Sequence, residues 1–252
     1  AGTPVNDLLP EVVYWGARLP EAEDLNALHA AHVIDVTGGM LDENPDLSIC
    51  PEATRSFPGQ PGLIVRDTDG TPLLPKFCFD SAEQNGTHLL TYADDENGLK
   101  LSVRFETDPE THIITCQTTL DATRPVHLHW LAAPVLPGPQ LSDEMIDVSG
   151  RWCGEFQLSR TAWAPGMRYR ENRTGRTGHE HFPGLIVPCR GATNTEGEAY
   201  AFHYGWSGGH KMIAEELQDG RRQIQWGHAA RMETEAATQF KTAPLYIVNS
   251  DT

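Results

Sequence analysis

Two His-x-His pairs, His127/His129 and His179/His181, are the densest groups of proton-handling or metal-ligating side chains in the sequence. On a strand, residues i and i+2 face the same way. Each pair can therefore offer two imidazoles to one metal, act as acid and base, or fix a loop. A cupin-type metal site also needs a glutamate shortly after the pair, and Ala133 and Leu185 stand at that place instead. Neither a metal nor a cofactor is expected. No Gly-x-Ser-x-Gly elbow is present, and Cys153, in GRWCGEF, has no base beside it in sequence. It reads as a buried structural thiol. A retaining glycosidase needs two carboxyl groups about 5–5.5 Å apart. With 35 Asp and Glu residues such pairs are easy to propose, but none declares itself. Asp94-Asp95-Glu96 reads as a solvated turn, and Glu215 and Glu216 point to opposite faces of a hairpin. No catalytic residue is assigned. The tryptophans at 15, 130, 152, 163, 206 and 226 are mostly expected in the core, each in an apolar strand pattern.

The elements that must position these groups are strands. In LKLSVRFE (99–106), Leu99, Leu101, Val103 and Phe105 alternate with Lys100, Ser102, Arg104 and Glu106. That is one buried and one wet face. Asn97-Gly98 before it is a hairpin signal, with HLLTY (88–92) as partner. HIITCQTTL (112–120) and VHLHWLAA (126–133) read as two further strands separated by a turn at 121–125. AYAFHYGWS places Tyr200, Phe202, Tyr204 and Trp206 on one face. HKMIAEEL (210–217), Asp219-Gly220 and RRQIQWGH (221–228) form the strongest hairpin signal, and PLYIVNS (244–250) follows. One short helix is expected in 22–33. Residues 39–76 are irregular and rich in Pro, Gly and Asp, so they either serve function or hide strands. The scattered 18 prolines and 23 glycines suit many turns. The reading is an all-β sandwich, one domain over 1–252.

A net charge of −16 disfavours nucleic acid and anionic membranes as partners. Five cysteines, at 50, 78, 116, 153 and 189, are odd in number and form no CxxC. They read as buried free thiols in a reducing compartment. No apolar run approaches the ~20 residues of a membrane span. The first residues show no signal-peptide pattern, so a cytoplasmic home is the expectation. Asn85-Gly-Thr87 and Asn172-Arg-Thr174 fit the glycosylation triplet and carry no weight here.

SGRWCGEFQLSRTAWAPGMRYRENRTGRTGHEHFP (149–183) resembles the N-terminal domain of glycoside hydrolase family 36, the bacterial α-galactosidases. Gly150, Trp152, Glu155, Arg160, Pro165, Gly166, Arg173, Gly175, Thr177, His179, His181 and Pro183 follow the family pattern in order. Gly178, Glu180 and Phe182 depart from it. YGWSGGHKMIAEELQDGRRQIQWG (204–227) and PLYIVNSDT resemble the segments that follow in the family. The resemblance implies a two-sheet β-supersandwich of galactose-mutarotase-like type. It implies that catalysis belongs to a (β/α)₈ barrel, with a Lys-Trp-Asp nucleophile motif that does not occur in these 252 residues. It implies that Trp152, Glu155, Gly175, His179, His181 and Pro183 are structural, the two histidines holding a loop by hydrogen bonds near the barrel. It further implies a homo-oligomer, tetramer or dimer, in which ICPEATRSFPGQPGLIVRD (49–67) walls a neighbour's galactoside site. Glu52, Phe57 and Arg66 are the residues expected to do so, with Val65 replacing the family's aromatic. Two rival readings are a free-standing carbohydrate-binding module and a mutarotase-like epimerase that would pair His127 or His203 with Glu155 or Glu216.

Overall fold

The structure is a computed structural model and describes residues 7–32, 45–229 and 235–250. The first half holds a helix α1 (Leu25–His32), then β1 (Leu63–Asp67), β2 (Pro72–Leu73), β3 (Cys78–Gln84), β4 (Thr87–Asp94), β5 (Leu99–Thr107), β6 (Ile114–Leu131) and β7 (Ala133–Pro137). The second half holds β8 (Glu144–Arg151), β9 (Gly154–Ala162), β10 (Gly166–Glu171), β11 (His181–Pro188), β12 (Ala199–Tyr204), β13 (His210–Glu216), β14 (Arg222–His228), β15 (Ala237–Lys241) and β16 (Leu245–Ser250). Among the described residues these form two antiparallel sheets. The larger runs β3-β4-β5-β6-β16-β12-β11-β8-β9, with β1, carrying β2, and β15 also pairing along β6. The smaller runs β10-β13-β14-β7.

One apolar layer fills the space between the sheets. Leu185, Val187, Phe202, Tyr204, Leu245 and Ile247 from the large sheet meet Met212, Ala214, Ile224 and Trp226 from the small one. A second cluster lies under β4, β5, β6 and β1. A third, with Phe57, Trp130, Val135, Ile213 and Leu217, covers the other side of the small sheet. The all-β two-sheet expectation is met.

β4 and β5 form the expected hairpin, with Asp94 opposite Leu99, and Gly98 takes a φ of +65° in the turn between them. The helix is present as Leu25–His32, capped by Asp24, whose carboxylate accepts the N–H groups of Asn26 and Ala27. None of its residues is buried, so its apolar side packs on no core.

One expectation is corrected. The turn expected at 121–125 does not form. Residues 114–131 are one strand, because β5, β15 and β1 supply pairing partners along its length. Gln223 and Gln225 on β14 are fully buried, since residues 57–62 lie over that face. Most of the tryptophans lie in the core as expected: Trp130, Trp163 and Trp226 are interior and Trp15 packs against the core, while Trp152 and Trp206 are exposed. The irregular 39–76 segment contains β1, β2 and a 3₁₀ turn at Ala53–Arg55, and its residues 39–44 lie outside the described ones.

The cysteines also divide. All five are free; Cys50, Cys116 and Cys189 are buried, whereas Cys78 and Cys153 are exposed. Burial pushes the Cys116 thiol up to about 12 and Cys189 up to about 11. A disulfide reagent at pH 8 is therefore expected to label two thiols rapidly in the native chain and all five in denaturant. Rapid labelling of three or more would contradict this packing.

Candidate functional site

Two stretches carry the residues singled out from the sequence. The first is 49–67. Glu52 turns inward, where its Oε1 accepts the Phe77 N–H at 2.7 Å and its Oε2 accepts Arg55 Nε at 2.5 Å. Burial holds its carboxyl above the usual carboxylate range, and these donors oppose the shift only in part. Phe57 is 7 % exposed, packed among the third cluster with the Arg221 guanidinium 6.0 Å from its ring centre. Neither side chain offers an open face to a sugar within this chain.

What pins the segment is a buried polar network. The Gln60 N–H donates to Glu215 Oε2 at 2.8 Å, and the Gln60 carbonyl accepts from Gln223 and Gln225. Gln223 Nε2 also reaches Glu215 at 2.6 Å, and Trp130 Nε1 donates to Gln225 Oε1 at 2.8 Å. A Cβ at Gly59 would lie 2.5 Å from Leu217 Cδ2 and 2.8 Å from Glu215 Oε2, so a side chain there would displace the ends of these two residues. Arg66, on β1, stays exposed and donates from Nη1 to the Gly70 carbonyl at 2.9 Å. It borders a small, open, largely apolar groove between residues 50–54, β1 and 72–77.

The second stretch is 149–183. Along the β8–β9 hairpin, Ser149 pairs with Gln157 and Arg151 with Gly154, so Glu155 and Phe156 stand against the single Gly150. This is a β-bulge, with Phe156 at a φ of +54° and Cys153 in the turn at +61°. A Cβ at Gly150 would lie 2.5 Å from the Gly154 carbonyl oxygen, which is the steric reason for glycine there. Glu155 accepts the Cys153 N–H at 3.0 Å; hydrogen bonds from its own and the Cys153 backbone hold its carboxyl below the usual range. Trp152 stands 78 % exposed and meets the His179 ring edge-on at 5.9 Å.

The loop after β10 is held by Asn172, not by the histidines. Its buried amide donates to the carbonyls of Arg176 and Ser207, and its Oδ1 accepts from Thr174 N–H and Oγ1. Gly175 takes the left-handed turn position at φ +71°. His181 enters β11 with its Nδ1 buried and without a hydrogen-bond partner, which corrects the loop-holding role expected of the pair. Burial, then Arg170, lower its proton affinity. Pro183 is buried where the β11–β8 register shifts, a place where a missing N–H removes no ladder bond. Asp147 on β8 binds Arg168 at 2.6 Å and Arg170 at 3.1 Å, tying the large sheet to β10 of the small one.

These arrangements suit packing and positioning. Among the described residues, no three His, Cys, Asp or Glu side chains converge to hold a metal ion. Glu216 is paired to Arg222 at 2.8 Å, and His203 lies between the rings of Phe182 and Tyr246. The family model described as the glycosyl hydrolase family 36 N-terminal domain matches residues 8–233. The chain belongs to glycoside hydrolase family 36.

Within family 36, the chain is 32 % identical to the alpha-galactosidase of Escherichia coli over 222 residues, 85 % of this chain and 30 % of that one. It is 24 % identical to the probable alpha-galactosidase C of Aspergillus oryzae over 166 residues, 65 % of this chain and 21 % of the relative. The solved alpha-galactosidase AgaA of Geobacillus stearothermophilus superposes with a TM-score of 0.82 at 18 % identity, covering 98 % of this chain and 38 % of AgaA. A variant of AgaA has been solved with raffinose. The alpha-galactosidase of Lactobacillus brevis gives 0.75 at 17 % identity, covering 94 % and 34 %. The chain thus spans about a third of the length of its family-36 relatives and corresponds to their N-terminal domain.

The family-36 fold gathers the sequence-predicted residues unevenly. Trp152 and His179 touch, and Glu155 sits in the same hairpin end. Glu52, Phe57 and Arg66 share one segment, but only Arg66 faces outward. Asn172, Asp147, Gln60, Gln223 and Gln225 were missed. The one available signal was the Asn-x-Thr triplet at 172, whose amide is in fact consumed by four hydrogen bonds.

Proposed function

We propose that this chain is the non-catalytic N-terminal domain of a retaining α-galactosidase, acting on terminal α-galactosides. It supports a catalytic barrel elsewhere in the polypeptide and contributes to a homo-oligomer. The observation that carries the reading is the match of a family-36 N-terminal model to residues 8–233, alongside coverage of only 30 % of the Escherichia coli enzyme. The bound state of the polar groups described above supports a scaffold. The five unpaired thiols support a reducing, cytoplasmic home. The test is hydrolysis of an α-galactoside by the full-length gene product, with the anomer released followed by proton NMR. Release of the α-anomer first is expected; release of β first, or no hydrolysis, removes the reading.

Arg66 is the residue of this domain proposed to border a neighbouring subunit's substrate site. Its guanidinium is exposed at the rim of the 49–67 segment, and a planar fork suits sugar hydroxyls. Losing a hydrogen bond from a charged donor costs roughly 1.5–3 kcal/mol. Arg66→Ala in the full-length protein is therefore expected to raise KM by roughly ten- to a hundredfold with kcat little changed. An unchanged KM would take Arg66 out of the site.

A further inference from the structure

The two Asn-Gly turns of the large sheet, Asn85-Gly86 and Asn97-Gly98, differ in what holds them. In such a dipeptide the glycine nitrogen can attack the asparagine side chain, because no Cβ stands in its path. Asn97, between β4 and β5, is tied at its N–H, its carbonyl and its side-chain amide. The N–H donates to Asp94 Oδ1 at 3.2 Å and Nδ2 donates to Asp94 Oδ2 at 2.7 Å, while the carbonyl accepts from Arg124 Nη1 at 3.0 Å. Asp94 is itself buried and also accepts the Lys76 N–H at 2.9 Å. The Gly98 carbonyl accepts the Thr123 N–H at 2.9 Å, which fastens this turn to β6. Asn85, between β3 and β4, is held far less. Its N–H donates to the Thr87 carbonyl at 3.1 Å, where Gln84 pairs with His88. Among the described residues nothing hydrogen-bonds its side-chain amide or the Gly86 N–H. Both residues are exposed, and the space beside Gly86 is open to 4 Å. β3 is the edge strand of the sheet, so the turn has a neighbouring strand on one side only.

We infer that Asn85 is a modification site, where the protein deamidates spontaneously, and that the fold holds Asn97 out of the same reaction. The Gly86 nitrogen forms a bond to Asn85 Cγ and gives up its proton. The Cγ–Nδ2 bond breaks, and ammonia leaves carrying that proton. The five-membered succinimide then takes up one water at either carbonyl and opens to aspartate or isoaspartate. Water is the sole co-reactant, and nothing is oxidised or reduced. The attack needs an amide free to turn toward the next nitrogen, a matter of orientation. Asn85 has that freedom. Asn97 must first break a hydrogen bond to a charged acceptor, which slows a reaction by roughly ten- to a hundredfold. Each event turns a neutral amide into a carboxylate and takes the net charge of the chain from −16 to −17. The isoaspartate product also adds a methylene to the main chain. At the exposed tip of an edge hairpin that addition disturbs no buried group.

The test is peptide mapping of the full-length gene product after incubation at pH 8 and 37 °C, once in native buffer and once in urea. Mass spectrometry reads the exchange of amide for carboxyl at each turn, and chromatography separates aspartate from isoaspartate. In the native protein Asn85 is expected to convert at least tenfold faster than Asn97, to a mixture of both products. In urea the two rates are expected to come together. Asn85→Gln, a change at an exposed turn, should abolish conversion there and leave Asn97 as slow as before. Asn97 converting as fast as Asn85 in the native protein overturns the inference. So does an Asn85 that stays intact in native buffer while it reacts in urea. An Asn97 that remains slow in urea also overturns it, because the protection would then lie in the local sequence and not in the fold.

Discussion

Replacing Asp147 by alanine is expected to lower the unfolding free energy by about 2–3 kcal/mol. The side chain is 5 % exposed and is the shared anion for two guanidiniums on the facing sheet. Its removal leaves Arg168 and Arg170 half-buried with like charges adjacent and no counter-charge between them. Breaking a fully buried ion pair costs about 3–5 kcal/mol, and the partial exposure of the two arginines reduces that figure. For a chain of this length the loss corresponds to roughly 5–10 °C in Tm. Asp147→Asn keeps an acceptor but loses the charge and should fall between the two. Thermal unfolding of the three chains checks the order. A change of Asp147→Ala below 1 °C would show that the two sheets are not tied here.

Acidification provides the second large effect. His210 is fully buried on β13 beside the Trp226 ring, and neither ring nitrogen meets the geometry of a hydrogen bond. Burial pushes its imidazole down to about 4; the nearby Ser207 backbone favours the proton and is outweighed, while His181 and His203 add to the depression. In the unfolded chain the group titrates near its ordinary value of about 6.5. Between those two values the unfolded state binds the proton and the folded state does not, so stability falls as the pH falls. His210 alone should remove about 3 kcal/mol between pH 6.5 and pH 4, a loss fully developed below the folded value. His181, His203 and His228, also depressed chiefly by burial, add in the same direction. Carboxylates held low by hydrogen bonds, such as Asp67 and Asp108, lose their contribution at still lower pH. Urea unfolding across pH 4–7 should show this slope, and His210→Leu should flatten it. An equal slope in both chains would place the acid sensitivity elsewhere.

The parts of the fold legible in the sequence are those marked by alternation or by a turn dipeptide. β5 alternates after Asn97-Gly98 with β4 as its partner, and β13 and β14, covered on both faces, flank Asp219-Gly220. β8 to β11 were hidden for a physical reason. Phe156, Leu158, Phe182 and Ile186 put apolar side chains outward, so the in-out alternation that betrays a half-buried strand is lost. β6 was read as two strands because Asp121–Pro125 has the composition of a turn, and only its three neighbours keep it extended. The burial of Gln223 and Gln225 was not legible, because nothing local announces that residues 57–62 cover them. At the candidate site the spacing Gly150-x-Trp152-x-x-Glu155 was visible, while the steric demand behind it, a bulge closing on Gly150, emerged only with the register. Phe57 and Glu52 were recognisable as part of a distinctive segment, but their burial depends on partners such as Ile213, Leu217 and Phe77 that are remote in sequence.

The central claim, a scaffold domain without its own chemistry, is tested most directly by assaying the 252-residue chain alone. The chain would be purified, shown to be folded by near-UV circular dichroism, and incubated at high concentration with a chromogenic α-galactoside beside the full-length gene product. The account predicts turnover by the full-length protein and none by the folded 252-residue chain above the uncatalysed rate. Turnover by that chain at a rate proportional to its concentration, and lost on Glu155→Gln or Glu216→Gln, would contradict it and return catalysis to the sandwich.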